Sequence, residues 1–277
     1  MSTLSASIAG IGFWAPGLPT WDAAVAFARD GVRLDAAPAR PQPQVLAPNE
    51  RRRAPDTVAV ALDVAQAACT MAGIAPGTVP SVFASMHGDL AITDYMCATL
   101  ADTPASISPT KFHNSVHNAA AGYWTIGTGC MAPATSISAF DATFAQGLLE
   151  ALVQLASGAP AVLLVGYDCA STGPLAQVSR STGVLGGALL LVADALPGAP
   201  RLQVQLADGA ATPATGPLAT VAPGNAMAPM LPLFDALARG DAGVALAAGA
   251  GRVLQIHLTP SAAPMRGAAP HAEPAHA

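Results

Sequence analysis

Three features of the sequence predict an α/β fold. Apolar segments of strand length alternate with segments of helical period through most of the chain. Ala159–Gly166 (APAVLLVG) is almost wholly apolar, as a central strand covered on both faces must be. Thr143–Ser157 carries Leu148, Leu149, Leu152, Val153 and Leu155 around its whole circumference, the pattern of a buried helix.

The elements follow in order. Ser5–Gly12 (SASIAGIG) alternates and ends in glycine, a first strand running into a turn, and Trp21–Arg29 is a short helix. Arg33–Arg53 holds four prolines and three consecutive arginines and reads as an irregular surface loop. Asp56 is placed as the N-cap of a helix over Thr57–Ala72, which Gly73 stops. Val79–Ser85 is a buried strand, Asp89–Leu100 a helix and Ala101–Pro109 a loop. The pattern is helical from Lys111 to about Gly127, Ala134–Ala139 is a short strand, and the Thr143 helix follows.

Beyond the central strand, Tyr167–Ser181 reads as a polar loop, Gly183–Asp194 as a glycine-rich approach into a strand, and Arg201–Leu206 as another strand. Ala207–Pro229 lacks periodicity and is expected to be a mobile loop. Leu231–Arg239 is a helix and Arg252–Leu258 the last strand, with a disordered tail over 259–277.

Composition narrows the function classes. The chain is 52% hydrophobic and 10% charged, against roughly 25% charged residues in an average soluble domain, so a large apolar face is expected against a partner. Net charge is −5 and Lys111 is the single lysine, which excludes a basic stripe for nucleic acid. Cys69, Cys97, Cys130 and Cys169 show no CxxC spacing and suit reduced thiols in a cytoplasm. No apolar window reaches the roughly 20 residues of a membrane span, and the N-terminus lacks the basic region of a signal peptide. Gly249-Ala250-Gly251-Arg252 precedes a strand, the wrong order for a phosphate-binding turn.

The polar residues concentrate in one stretch, Ser108–Ala151. His113 and His117 are four apart, which on one helix would put both imidazoles on one face. Asn114 stands where a zincin needs glutamate, and no third ligand is evident, so no metal is expected and no cofactor is assigned. His113, Asn114, His117 and Asn118 are therefore read as pocket or interface residues. Asp141 sits where a strand gives way to a helix, a place where nucleophiles are often carried, and also where an aspartate serves as a helix N-cap.

SPTKFHNSVHNAAAGYWTIGTG, MAPATSISAFDATFAQGLLEAL, APAVLLVGYDCAS and GVLGGALLLVAD resemble, in order and spacing, successive segments of the β-ketoacyl synthases of the thiolase superfamily. SIAGIGFWAP resembles that family's first strand and turn, and FHNSVHNAAAGYW is similar to the ketosynthase-like proteins of aryl polyene and related fatty-acid-type clusters. The resemblance implies a thiolase-like half, a five-stranded mixed sheet covered by helices (βαβαβαββ), over residues 1–258 as one domain with a truncated C-terminal part. It also places Asp141 on the position of the nucleophilic cysteine, with Phe140 on the alanine before it, and Cys130 lies eleven residues too early to substitute. The two histidines of the family's second half have no evident counterpart, since His257 lacks the flanking pattern.

What the resemblance implies is a non-catalytic subunit, like a chain-length factor, that heterodimerises with an active β-ketoacyl synthase, stabilises it and shapes its acyl tunnel. An acyl carrier protein would be met through that partner. Asn118 and Ser136 would lie at the interface, with Trp124 and Phe140 in the tunnel wall. Two alternatives stand beside it: an acyl-thioester hydrolase or decarboxylase using Asp141 with His113 or His117, and a homodimeric acyl-binding protein.

Overall fold

A computed structural model describes residues 3–259. In chain order these form β1 (Leu4–Trp14), α1 (Trp21–Asp30), α2 (Pro48–Arg53), α3 (Asp56–Ala72), β2 (Ser81–Ala84), α4 (Leu90–Asp102), α5 (Pro109–His113) and α6 (Ala119–Thr128). There follow β3 (Ala134–Ile137), α7 (Thr143–Ala156), β4 (Ala161–Cys169), β5 (Val184–Val192), β6 (Arg201–Asp208), α8 (Leu231–Arg239), β7 (Gly243–Gly249) and β8 (Arg252–Thr259). All eight strands join one sheet in the order β3-β2-β4-β5-β1-β6-β8-β7.

β2 runs parallel to β3 and β4, whereas β5 lies antiparallel between β4 and β1. These five strands are the mixed sheet expected from the sequence. The sheet has eight strands and not five, because β6, β8 and β7 extend it beyond β1 through antiparallel pairs. β7 (GVALAAG) escapes sequence reading since small residues give it weak strand preference, and pairing to β8 supplies what propensity does not.

Helices cover both faces. α3 and α6 pack on one face around Trp124, Phe83 and Tyr167. α1, α7 and α8 pack on the other, where Phe13, Trp21, Phe144 and Phe234 form a cluster with ring centroids 5.5–6.4 Å apart. Glycines set how closely these layers approach. A Cβ on Gly10 would fall 2.0 Å from the Ala68 carbonyl oxygen, and one on Gly12 would fall 1.9 Å from that of Val64, so α3 lies directly on the β1 backbone.

Several local expectations are corrected. The proline-rich Arg33–Arg53 loop closes with the one-and-a-half-turn helix α2, begun by Pro48 at its first position. Asp56 is the first residue of α3 rather than its cap, and its carboxylate faces Arg40 Nε at 2.7 Å. The helical run from Lys111 breaks between His113 and Ala119 into α5 and α6. β4 continues through Tyr167, Asp168 and Cys169, where a loop was expected, because β5 pairs with it to its end. The segment between β6 and α8 buries Leu218, Met227 and Met230, each at most 1% exposed, which anchors it to the core. Thr259 still pairs with Arg201, so β8 runs one residue into the expected tail, and the rest of that tail lies outside the described residues. Among the described residues no helix is long and apolar enough to cross a membrane.

Because the Gly12 position faces backbone, neither partner can yield by changing a rotamer. Gly12→Ala is expected to destabilise the fold by on the order of 3 kcal/mol, read as a lower urea midpoint at unchanged m-value. A midpoint within error of the parent would show that α3 does not sit on β1 as described.

Candidate functional site

The carboxyl ends of the parallel strands β2, β3 and β4 point the same way, which is where open α/β sheets hold their ligands. After β3 the chain turns through a 3₁₀ segment, Phe140–Ala142, into α7. The Thr143 hydroxyl holds this turn: it accepts from Ala139 N–H at 2.9 Å and donates to the Phe140 carbonyl at 2.6 Å. Asp141 is exposed and caps nothing, which corrects its expected N-cap role. The strained residue is its neighbour. Phe140 has φ +50° and is 79% exposed, a backbone state unfavourable for a bulky side chain and retained only where its surroundings impose it.

Opposite this turn stands the β7–β8 hairpin tip, where Ala250 has φ +51°. Gln146 Nε2 on α7 donates to the Ala248 carbonyl at 2.8 Å and ties hairpin to helix. Between them is an open cavity of about 420 Å³ whose ionisable lining residues are Asp141 and Arg252, the latter paired with Asp208 at 2.8 Å. Neither histidine nor cysteine lines it.

The second cluster gathers around Asp168, at the end of β4 and 0% exposed. Its carboxylate accepts from Ser85 Oγ (2.7 Å), Met86 N–H (2.9 Å) and His87 N–H (3.4 Å), so it holds the turn that follows β2. Burial pushes the Asp168 carboxyl up to about 7, and the three hydrogen bonds pull the other way. Burial also lowers the His87 imidazole below its ordinary range. Met86 in turn accepts from Ser138 Oγ at 2.9 Å, which links this turn to the one bearing Phe140. His117 Nε2 meets the Ser85 carbonyl at 2.8 Å, and the His113 ring stands edge-on to Tyr123 at 5.6 Å. The break between α5 and α6 therefore gives the two histidines separate tasks, and no group of three metal-ligating side chains occurs among the described residues.

The two sheet edges differ. Along β7, Thr212 N–H donates to the Ala245 carbonyl (2.8 Å) and Thr212 Oγ1 accepts from Ala245 N–H (3.0 Å), so that edge is partnered at Ala245. Along β3 the outer contact among the described residues is a long one, Gln154 Nε2 to Thr135 Oγ1 at 3.4 Å. Exposed apolar side chains accompany this open edge: Met131 at 95%, Ile126 at 78% and Phe140 at 79%. Ser136 lies in β3 and is half-buried, and Asn118 is exposed at the start of α6.

Residues 26–252 match the family model for the β-ketoacyl synthase, N-terminal domain. The chain belongs to the β-ketoacyl synthase family. Among solved structures it is similar to a ketosynthase (ApeO) in complex with its chain length factor (ApeC) from Xenorhabdus doucetiae, at 24% identity and TM-score 0.71, over 92% of this chain and 99% of that one. It is similar also to the ishigamide ketosynthase/chain length factor, at 16% identity and TM-score 0.69, over the same shares. A β-ketoacyl synthase from Burkholderia phymatum STM815 matches at 15% identity and TM-score 0.54, over 68% of this chain and 59% of that one. These likenesses give the thiolase-like fold. A search of curated proteins returned no match.

Within this ketosynthase-family chain the site residues read from sequence are spread over three places. Asp141 and Phe140 share the turn after β3; His117 and Asn114 border the Ser85–Gly88 turn or the cavity beside it; His113 faces Tyr123. Trp124 is fully buried against Phe83 in the core of the sheet's α3/α6 face. Sequence reading missed Asp168, Ser85 and His87, although one signal was present: Asp168 continues the apolar run of β4 and is thus a carboxylate in a strand. It also missed Ile126 and Met131, whose significance depends on the β3 edge being open.

A carboxyl raised by burial binds its proton more tightly folded than unfolded, so stability must fall as pH rises through the window between its ordinary and its raised value. For Asp168 that window runs from 3.8 to about 7, and Asp63, raised by burial to about 6, adds to its lower part. Urea unfolding is expected to show stability falling by on the order of 4 kcal/mol on account of Asp168 across this range, then levelling. Asp168→Asn should remove the part of the slope above pH 6; an unchanged slope would mean that Asp168 is ionised throughout.

Proposed function

We propose that this chain is a non-catalytic, chain-length-factor-like subunit that pairs with an active β-ketoacyl synthase in polyketide, aryl polyene or fatty-acid-type biosynthesis. The observation that carries the reading is the turn after β3. It keeps the strained geometry of a nucleophile-bearing turn but presents Phe140 at the strained position and Asp141 beside it. A phenyl ring cannot take an acyl group, and a carboxylate would form a hydrolysable anhydride in place of a thioester. The cavity in front of the turn supplies no imidazole to Asp141, which disfavours the hydrolase or decarboxylase alternative with His113 or His117.

The pairing surface in this reading is the open β3 edge with Ile126, Met131 and Phe140 beside it. A strand edge left without backbone partners is a template for another chain, and an apolar patch of this kind is what a subunit interface covers. Phe140, held outward, would project into the partner and close or shape its acyl tunnel. Similarity to chains of ketosynthase/chain length factor complexes over nearly their full length supports this role. The chain would act as one cytoplasmic domain, meeting an acyl carrier protein through its partner.

Co-expression with a ketosynthase from the same operon is expected to yield a one-to-one complex in size-exclusion chromatography with light scattering. Ile126→Glu combined with Met131→Glu should weaken that pairing at least about thirtyfold, the loss expected of central interface positions. Asp141→Ala should leave turnover by the complex within about twofold of the parent, since no step is assigned to the carboxylate. If the chain alone turns over acyl or malonyl thioesters and Asp141→Ala abolishes this, the subunit reading fails.

A further inference from the structure

β1 loses one of its two neighbours part-way along. β5 pairs with it from Ser7 to Trp14, but β6 pairs with it only from Leu4 to Ser7, after which the Pro200 carbonyl takes Ile8 N–H at 2.9 Å. Farther along, Ile11 N–H donates to the Met71 sulfur at 3.2 Å, a weak acceptor where a strand neighbour would offer a carbonyl. A cavity of about 470 Å³ lies here, between the start of α1 and α3. Ile11, Phe13 and Trp21 form its floor, and the half-buried Pro19 and Met71 give it an apolar rim.

The charge of this cavity has one sign. Asp22, in the first turn of α1, and Asp63, on α3, line it, and no lysine, arginine or histidine joins them among the described residues. Burial pushes the half-buried Asp63 carboxyl up to about 6, against the pull of Arg51, which stands outside the cavity lining. A cation brought to the cavity would offset the cost of ionising that carboxyl.

The register of the sheet brings one segment of the chain to this place. β8 and β1 are both antiparallel to β6 and so run the same way, with Thr259 opposite Arg201 and Arg201 opposite Ser7. β8 therefore ends two strands from Ser7 and heads toward the level of Ile11. Two strand spacings across and four residues along amount to about 16 Å, which about five residues of extended chain cover. Residues 260–277 follow Thr259 in the sequence, and Pro264, Met265 and Arg266 fall at that reach. Met265 is the one large apolar residue of 260–277, and Arg266 is the one arginine of a segment without lysine. An apolar side chain next to a cation is the complement of an apolar rim next to two carboxylates.

We propose that residues 260–277 dock on their own chain at this cavity, with Met265 against Pro19 and Met71 and with Arg266 facing Asp63 and Asp22. The contact covers the part of β1 that β6 leaves. It shares no lining residue with the cavity at the Phe140 turn and does not depend on pairing with a ketosynthase.

Photo-crosslinking of the full chain tests this. Gly267→p-benzoylphenylalanine leaves Met265 and Arg266 in place, and the same group at Ala275 measures chance encounter. Irradiation is expected to link position 267 to residues 19–22 or 63–71 of the same chain, read by mass spectrometry, at least about fivefold above the level from position 275. Adding Arg266→Glu or Met265→Asp should lower that yield about fivefold, as should raised ionic strength, whereas Arg266→Lys should keep it within about twofold. Unchanged circular dichroism verifies folding in each variant. Links no more frequent than from position 275, links between two chains in place of links within one, or a yield that Arg266→Glu and Met265→Asp leave unchanged would overturn the proposal.

Discussion

The buried Asp168 carboxylate ties together the end of the sheet on which every candidate site depends. Three donors from Ser85, Met86 and His87 converge on it, and its own carbonyl accepts from Asn225 Nδ2 at 3.2 Å, so β4, the turn after β2 and the segment before α8 meet at one residue. Removing a carboxylate from water is costly, and burial raises this one accordingly. What offsets that cost is geometry. The Ser85–Gly88 turn sets the direction of α4, puts His87 in the wall of the cavity beside it, and passes through Met86 and Ser138 to the turn that exposes Phe140.

Around this anchor the sheet is asymmetric. Its β7 edge is met at Ala245 by Thr212, while its β3 edge has no backbone partner among the described residues and is accompanied by Ile126 and Met131. A chain that evolved only to remain separate would be expected to blunt both edges with charge, proline or a covering loop. Three of the most exposed apolar side chains, Ile126, Met131 and Phe140, accompany that edge, while others, Val178 and Leu100 among them, lie elsewhere.

Much of the fold was legible because the signals are local. The apolar run of β4, the all-round apolar α7 and the left-handed Gly73 ending α3 each declare themselves within a few residues. What was not legible depended on distant partners. β7 is a strand because β8 pairs with it, and the run from Lys111 breaks where His117 turns toward Ser85. The site was half legible. Asp141 does stand at a strand-to-helix turn, but the side chain that holds this turn is Thr143 and the strained residue is Phe140, distinctions made by hydroxyl geometry and φ that sequence spacing does not encode.

In the proposed role, function resides at surfaces, with the β3 edge as their centre, and not in bond-making at Asp141. Hydrogen exchange on the chain with and without a co-purified ketosynthase tests this most directly, because the amides of an open edge strand lose their exposure only when another chain pairs there. The account predicts that Ala134–Ile137 and the flanking Ile126–Met131 segment become protected in the complex. Unchanged exchange across these residues in a demonstrated complex would contradict it.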